Sequence, residues 1–118
     1  MVYKFINTEY LESVSGDDPE IIREIVDMFK EQVVEVYDGM KSLFAEKDYQ
    51  SLGLLAHKVK SSVSIMGMND LAIMLKSFEL MAKEGKQPDK YLSYIERFRE
   101  ETGAAVTELD DLVKTRFK

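Results

Sequence analysis

One histidine and its neighbours carry the chemistry for which this sequence is best equipped. His57 is the only imidazole in the 118-residue chain, and Lys60, Ser61 and Ser64 follow it at spacings of three, four and seven residues. A neutral imidazole is a nucleophile near neutral pH. A phosphoryl group on it would carry a charge of about −1.5 to −2, by analogy with other phosphorylated side chains. Lys60, one helical turn away, would pair with that charge. This pairing would orient a phosphoryl group at His57 but would not by itself catalyse its transfer.

Helical geometry places His57 outside the apolar stripe of its own segment. With Leu52 at zero and about 100° per residue, the apolar side chains fall within roughly 60° and His57 falls near 140°. We therefore expect the imidazole to face solvent. Gly53 lies one turn before it, and a glycine inside a helix costs about 1 kcal/mol relative to alanine. This glycine predicts clearance for a large group that approaches the ring; a merely structural histidine is the alternative.

Other reactive arrangements find little support. Ser61 and Ser64 share the face of His57, but a serine–histidine dyad lacks a third residue to orient the imidazole and a glycine-rich turn for an oxyanion. Neither glycine-rich nucleotide motif occurs, so we expect no ATP-dependent kinase activity. One histidine, no cysteine and acidic pairs without EF-hand spacing predict no metal site.

The histidine needs a rigid frame, and the sequence predicts an all-helical one. No strand alternation or internal repeat is present. Apolar stripes at helical spacing, opened by capping residues or proline, predict four long helices and a short N-terminal one. The predicted helices cover about residues 7–14, 19–47, 49–66, 70–84 and 88–116. Four amphipathic helices with short connections favour one domain over residues 1–118, folded as an antiparallel up-down four-helix bundle.

Composition narrows the choice of partners. The chain carries 16 Lys+Arg against 22 Asp+Glu, a net charge of −6, so it has no basic face for nucleic acid. No apolar run of about 18 residues and no signal-peptide core occur, so we expect a cytoplasmic protein without membrane contact. The bundle closes its own core, which favours a monomer. A start at Met and a full set of helices favour a free-standing protein over a domain cut from a larger hybrid kinase.

The run from Leu55 to Met68 resembles the signature of the histidine-containing phosphotransfer (Hpt) domain. It reads Leu-Ala-His-Lys-Val-Lys-Ser-Ser-Val-Ser-Ile-Met-Gly-Met. The family's pattern is an Ala-His-x-Leu-Lys-Gly run, small residues, an apolar-Gly pair, and then a Leu-rich helix with a Leu-Glu pair. The matching later residues here are Leu71, Leu75, Phe78, Glu79 and Gly85. The similarity covers nearly the whole chain.

The resemblance implies a phosphorelay intermediate. His57 would be the phosphoacceptor, Lys60 and Lys58 the cations on the phosphate side, and Gly67 the tight turn to the next helix. The phosphoryl group would pass between receiver-domain aspartates of a sensor hybrid kinase and a response regulator. The receiver would supply Mg²⁺, so the chain would need no cofactor of its own. Ser61 stands where the family usually has Gly, which narrows the approach to the imidazole.

Two further interpretations concern binding. Ile73 and Leu80 project roughly 200° and 180° from the apolar stripe of their segment. Counted back from the turn, Ser77 would lie opposite His57, between these two residues. This placement predicts an apolar patch, joined by Met68, on which a receiver domain docks; packing against another helix is the alternative. The competing class of function is a structural adaptor bundle that binds a receiver or kinase without phosphotransfer.

Overall fold

Capping residues and left-handed turns set the ends of four long helices. The computed structural model describes residues 4–7, 9, 12–13, 16 and 18–116. Helix α1 spans Pro19–Ala45, α2 Tyr49–Ile65, α3 Asn69–Glu84 and α4 Tyr91–Arg116, with a 3₁₀ turn at Pro88–Lys90 before α4. Half of the short helix expected at residues 7–14 lies outside the described residues, and residues 9, 12 and 13 within it are helical.

The helix starts follow local sequence signals. The Asp18 carboxylate accepts a hydrogen bond from the Glu20 amide at 3.0 Å, and the Asp48 carboxylate accepts one from the Ser51 amide at 3.2 Å. Both are the bonds that an N-terminal capping side chain makes. Helix α3 differs, because Met68 stands at its N-cap and provides no side-chain hydrogen bond.

The end of α1 differs slightly from the prediction. The helix ends at Ala45 and not near residue 47, because Lys47 adopts a left-handed conformation with φ of 59°. The Lys47 amide donates to the Phe44 carbonyl, and the Asp48 amide donates to the Leu43 carbonyl. This is the bonding of a helix end that usually carries glycine. Because lysine rarely adopts this conformation, the sequence does not indicate that the helix ends here.

The helices pack as an antiparallel four-helix bundle, as the apolar stripes predict, and the described residues contain no strand. Helix α1 contacts α2 and α4, and α3 contacts the same two helices, so the four surround one core. The most extensive of these contacts joins α2 to α3. The resulting body measures 45 × 21 × 21 Å.

Four aromatic rings, two of them fully buried, pack together beside the C-terminal half of α3. We call Tyr49, Phe78, Tyr91 and Tyr94 the aromatic cluster; its ring centroids lie 5.1 to 5.6 Å apart in the contacting pairs. The buried Tyr91 hydroxyl donates to the Met81 carbonyl at 2.8 Å and to the Lys86 carbonyl at 2.6 Å. These bonds fasten α4 to the end of α3.

Residues 4–7 cross the end of the bundle and brace the turn between α2 and α3. The Glu108 carboxylate of α4 accepts hydrogen bonds from the amides of residues 4, 5 and 6 at 3.0 to 3.2 Å. The Asn7 amide donates to the Met66 carbonyl at 2.9 Å. Gly67, with φ of 76°, makes the turn, and a Cβ there would collide with Asn7. Glycine is therefore required both by the turn and by the crossing segment.

Candidate functional site

The imidazole of His57 lies on the outer side of α2, in the orientation that helical geometry predicts. Its side chain is 57% exposed. Ala56, Val59 and Val63 of the same helix are fully buried on the opposite side. Helix α2 therefore holds the ring rigidly while leaving it open to a partner.

A carboxylate from α3 orients the ring. The Nδ1 atom of His57 lies 3.0 Å from each carboxylate oxygen of Glu79. An ionised carboxylate only accepts hydrogen bonds, so Nδ1 is the donor and carries the proton. In the neutral ring the lone pair is then on Nε2. The expectation that no third residue orients the imidazole is therefore wrong.

Glu79 is almost fully buried, and its charge is balanced by lysines. Only 9% of its side chain is exposed. Lys83 Nζ donates to Oε2 at 2.8 Å, and Lys60 Nζ lies 3.9 Å from Oε1. The hydrogen bond from Lys83 lowers the pKa of the Glu79 carboxyl, and the contact with His57 lowers it further, although burial acts in the opposite direction. Glu79 is thus ionised at neutral pH. We call His57, Lys60, Glu79 and Lys83 the polar seam.

Gly53 allows α3 to approach α2 closely at this level. A Cβ on Gly53 would lie 2.9 Å from Lys83 Cγ and 3.0 Å from the Glu79 carbonyl oxygen. The glycine is buried in the interface between the helices. The interpretation of Gly53 as clearance for an approaching partner is therefore wrong: the space is occupied by α3.

The family model that describes the Hpt domain matches residues 24–113. The chain belongs to the Hpt domain family. Comparison with curated proteins and with solved structures found no match. Family membership assigns the chain a phosphotransfer role in two-component signalling, where Hpt domains interact with receiver domains and kinases. The resemblance stated from the run around His57 is confirmed.

The remaining predicted residues of the Hpt site differ in exposure and in the groups that they contact. Lys60 points back to Glu79, and its side chain is 28% exposed. The Ser64 hydroxyl donates to the Lys60 carbonyl within the helix at 2.9 Å. Lys58 and Ser61 are exposed, and no hydrogen bond or ion pair between described residues joins either to His57. Lys60 is therefore the predicted cation closest to the site's charges.

The predicted docking residues of the Hpt domain divide into two groups. Ile73 and Leu80 on α3 are 66% and 54% exposed, so they do not pack against another helix of the bundle. Met68 is only 4% exposed. Its inclusion in an exposed patch is wrong, because the turn before α3 buries its side chain in the core.

The residue that faces His57 in the Hpt domain is Glu79 and not Ser77. Ser77 is exposed and lines a groove with Tyr94 and Arg97 of α4, away from α2. Glu79 follows the buried Leu75 by four residues and precedes the buried Ala82 by three. That helical spacing was the available signal that Glu79 lies at the edge of the buried side of α3.

Two further observations concern membrane-spanning helices and metal-binding groups in the described part of the Hpt chain. No helix there combines the length and the apolar character needed to span a membrane. No group of three His, Cys, Asp or Glu side chains there is arranged to hold a metal ion. The acidic residue in the site, Glu79, is engaged by the imidazole and the two lysines.

Proposed function

We propose that this Hpt domain carries a phosphoryl group on Nε2 of His57 between receiver-domain aspartates of a sensor hybrid kinase and a response regulator. One observation carries the proposal. The exposed imidazole is held through Nδ1 by a buried, ionised carboxylate, so its nucleophilic nitrogen is the one that remains free.

The transfer follows from this arrangement. The Nε2 lone pair attacks the phosphorus of a receiver's aspartyl phosphate, the N–P bond forms, and the P–O bond to the aspartate breaks. The aspartate carboxylate leaves with the electron pair of that bond. Transfer to the second receiver is the same exchange in reverse. The proton stays on Nδ1, where Glu79 stabilises the positive charge that the ring gains as its nitrogen bonds to phosphorus.

Lys60 is the side chain that we propose to contact the phosphoryl group. Its ammonium lies 3.9 Å from Glu79, beyond hydrogen-bonding distance, while Lys83 already holds the carboxylate at 2.8 Å. Lys60 can therefore turn outward without leaving Glu79 unpaired. Two unit charges 4 Å apart attract by about 4 kcal/mol near a protein surface, and salt reduces this. Such an attraction is enough to orient a phosphate. In this proposal Lys58 adds a second positive charge, and the receiver supplies Mg²⁺.

Ile73 and Leu80 are proposed as part of the surface on which the receiver docks. They are spaced seven residues apart, so they lie on the same side of α3, and both are more than half exposed. Ile73→Asp should slow phosphotransfer at limiting receiver concentration without loss of helicity. Unchanged kinetics in a folded Ile73→Asp protein would remove these residues from the docking surface.

The decisive experiment is phosphorylation by a receiver. The protein is incubated with a phosphorylated receiver domain and analysed for a phosphate that is labile in acid and stable in base. We expect this phosphate on the wild type and none on His57→Gln. A structural adaptor would bind the receiver and gain no phosphate, and that outcome would overturn the proposal.

A cytoplasmic monomer is the form in which we propose that the protein acts.

A further inference from the structure

Gly53 lies on the buried side of α2, where α2 contacts α3 beside the polar seam. A Cβ at this position would meet three atoms of α3: Lys83 Cγ at 2.9 Å, the Glu79 carbonyl oxygen at 3.0 Å and the Lys83 amide nitrogen at 3.2 Å. Two of these atoms belong to the main chain, so a side-chain rotation cannot move them away. Even an alanine at residue 53 would push this part of α3 outward.

The main-chain atoms that press on Gly53 belong to the residues that complete the site. Glu79 and Lys83 occupy one turn of α3, and their side chains form the hydrogen bonds that orient His57 and fix the carboxylate. Nδ1 lies 3.0 Å from the carboxylate, near the ordinary length of such a bond. A displacement of α3 by several tenths of an ångström would bring this contact to the limit of hydrogen bonding.

We propose that Gly53 is a positioning residue of the Hpt site: the absence of its side chain sets the separation of α2 and α3 at which Glu79 holds Nδ1 of His57. A glycine inside a helix lowers stability by about 1 kcal/mol relative to alanine. According to this proposal, the lower helix stability is offset by the correct placement of Glu79 beside His57. The effect on the ring rests on the contacts above, and the effect on phosphotransfer rests on the proposed function.

The test is the position of the imidazole proton in Gly53→Ala. Nitrogen-15 NMR of the unphosphorylated protein, at a pH at which the imidazole is neutral, reports whether Nδ1 or Nε2 carries the proton. We expect the Nδ1–H form to predominate in the wild type and a mixture of both forms in Gly53→Ala. The rate of phosphoryl transfer from a receiver should fall about tenfold or more.

The chain offers two matched glycine-to-alanine controls. A Cβ on Gly39 of α1 would lie 3.0 Å from Leu55 Cδ2, the end of a flexible side chain in another helix contact. A Cβ on Gly103 of α4 would meet nothing within 4 Å. Gly39→Ala and Gly103→Ala should keep the Nδ1–H form. If Gly39→Ala changed the ring as much as Gly53→Ala, crowding in general and not the position of Glu79 would be responsible.

Lys83→Ala provides a second background that removes the tightest contact. In the double variant, the Cβ added at residue 53 would still meet the two main-chain atoms of α3 at 3.0 and 3.2 Å. We therefore expect the double variant to differ from Lys83→Ala in the position of the imidazole proton. This comparison can be made even if Gly53→Ala alone does not fold. An unchanged Nδ1–H form in folded Gly53→Ala would overturn the proposal. So would an unchanged Nδ1–H form in the double variant where Lys83→Ala alone keeps that form.

These measurements separate the two proposals. A wild type with the expected Nδ1–H form that gains no phosphate from a receiver would contradict the proposed function. The NMR result for Gly53 would still stand, because it is obtained without phosphotransfer.

Discussion

Helix α3 presents two different environments through adjacent residues. Phe78 belongs to the aromatic cluster and is fully buried in contact with the Tyr91 and Tyr94 rings of α4. Glu79 enters the polar seam and is buried against an imidazole and two ammonium groups. The aromatic cluster is built from burial of apolar area. The polar seam is built from a few directed bonds, so its function depends on distances of tenths of an ångström.

The largest effect is expected in the aromatic cluster. Phe78→Ala would leave a cavity beside the Tyr91 and Tyr94 rings, and such core truncations cost about 3–5 kcal/mol of unfolding free energy. Urea unfolding followed by circular dichroism measures the loss. Leu80→Ala, one of the exposed apolar residues of α3, is the control and should change stability far less. A loss of similar size in both variants would mean that the cluster is not the main packing centre on this side of α3.

Substitutions of Glu79 in the polar seam should change the rate of phosphotransfer. Glu79→Ala removes the acceptor of Nδ1, and misplacement of a reacting group by about 1 Å can cost up to a hundredfold in rate. Glu79→Gln keeps an oxygen acceptor without the charge, so its phosphotransfer rate should fall between those of the wild type and Glu79→Ala. Rapid-quench transfer assays give the order. Equal rates in all three proteins would show that the carboxylate does not orient the ring.

A smaller effect is expected where the aromatic cluster meets the end of α3. Tyr91→Phe removes the hydroxyl that bonds the Met81 and Lys86 carbonyls, at a cost of about 1–2 kcal/mol. Thermal unfolding measures it. Tyr94→Phe is the matched control, because among the described residues its hydroxyl bonds only to the Met81 sulfur, at 3.6 Å. Phosphotransfer rates should be unchanged in both, since the hydrogen bonds and ring contacts found for these tyrosines within residues 18–116 do not involve the polar seam.

The smallest expected effect is a dependence of stability on pH. The folded-state pKa of Glu79 lies below its ordinary value of 4.5, so ionised Glu79 stabilises the fold above that pH. This contribution is lost as the pH falls through the folded-state pKa. The stability advantage of the wild type over Glu79→Gln should therefore be full at neutral pH and shrink as the pH falls through 4.5 and below. A constant difference over this range would mean that the carboxylate is not held by its cations.

The same contrast explains what could be predicted from the sequence. The bundle and the outward position of His57 follow from the 3.6-residue period, because burial of apolar side chains repeats along each helix. The residue that contacts His57 depends on the register between α2 and α3. The sequence of one helix alone does not determine that register. Counting from the Gly67 turn reached Ser77, two residues from the true partner, Glu79. Met68 was misplaced because the fold of the turn, and not helical periodicity, decides its burial.

The bonds between Glu108 and residues 4–6 join positions more than one hundred residues apart. The segment that makes these bonds lies at a chain terminus, so it can detach while the four helices stay packed against one another. The end of the molecule that braces the α2–α3 turn is thus the part expected to open at the lowest free energy, while the amides of α2 beside His57 remain protected from hydrogen exchange until the bundle itself unfolds.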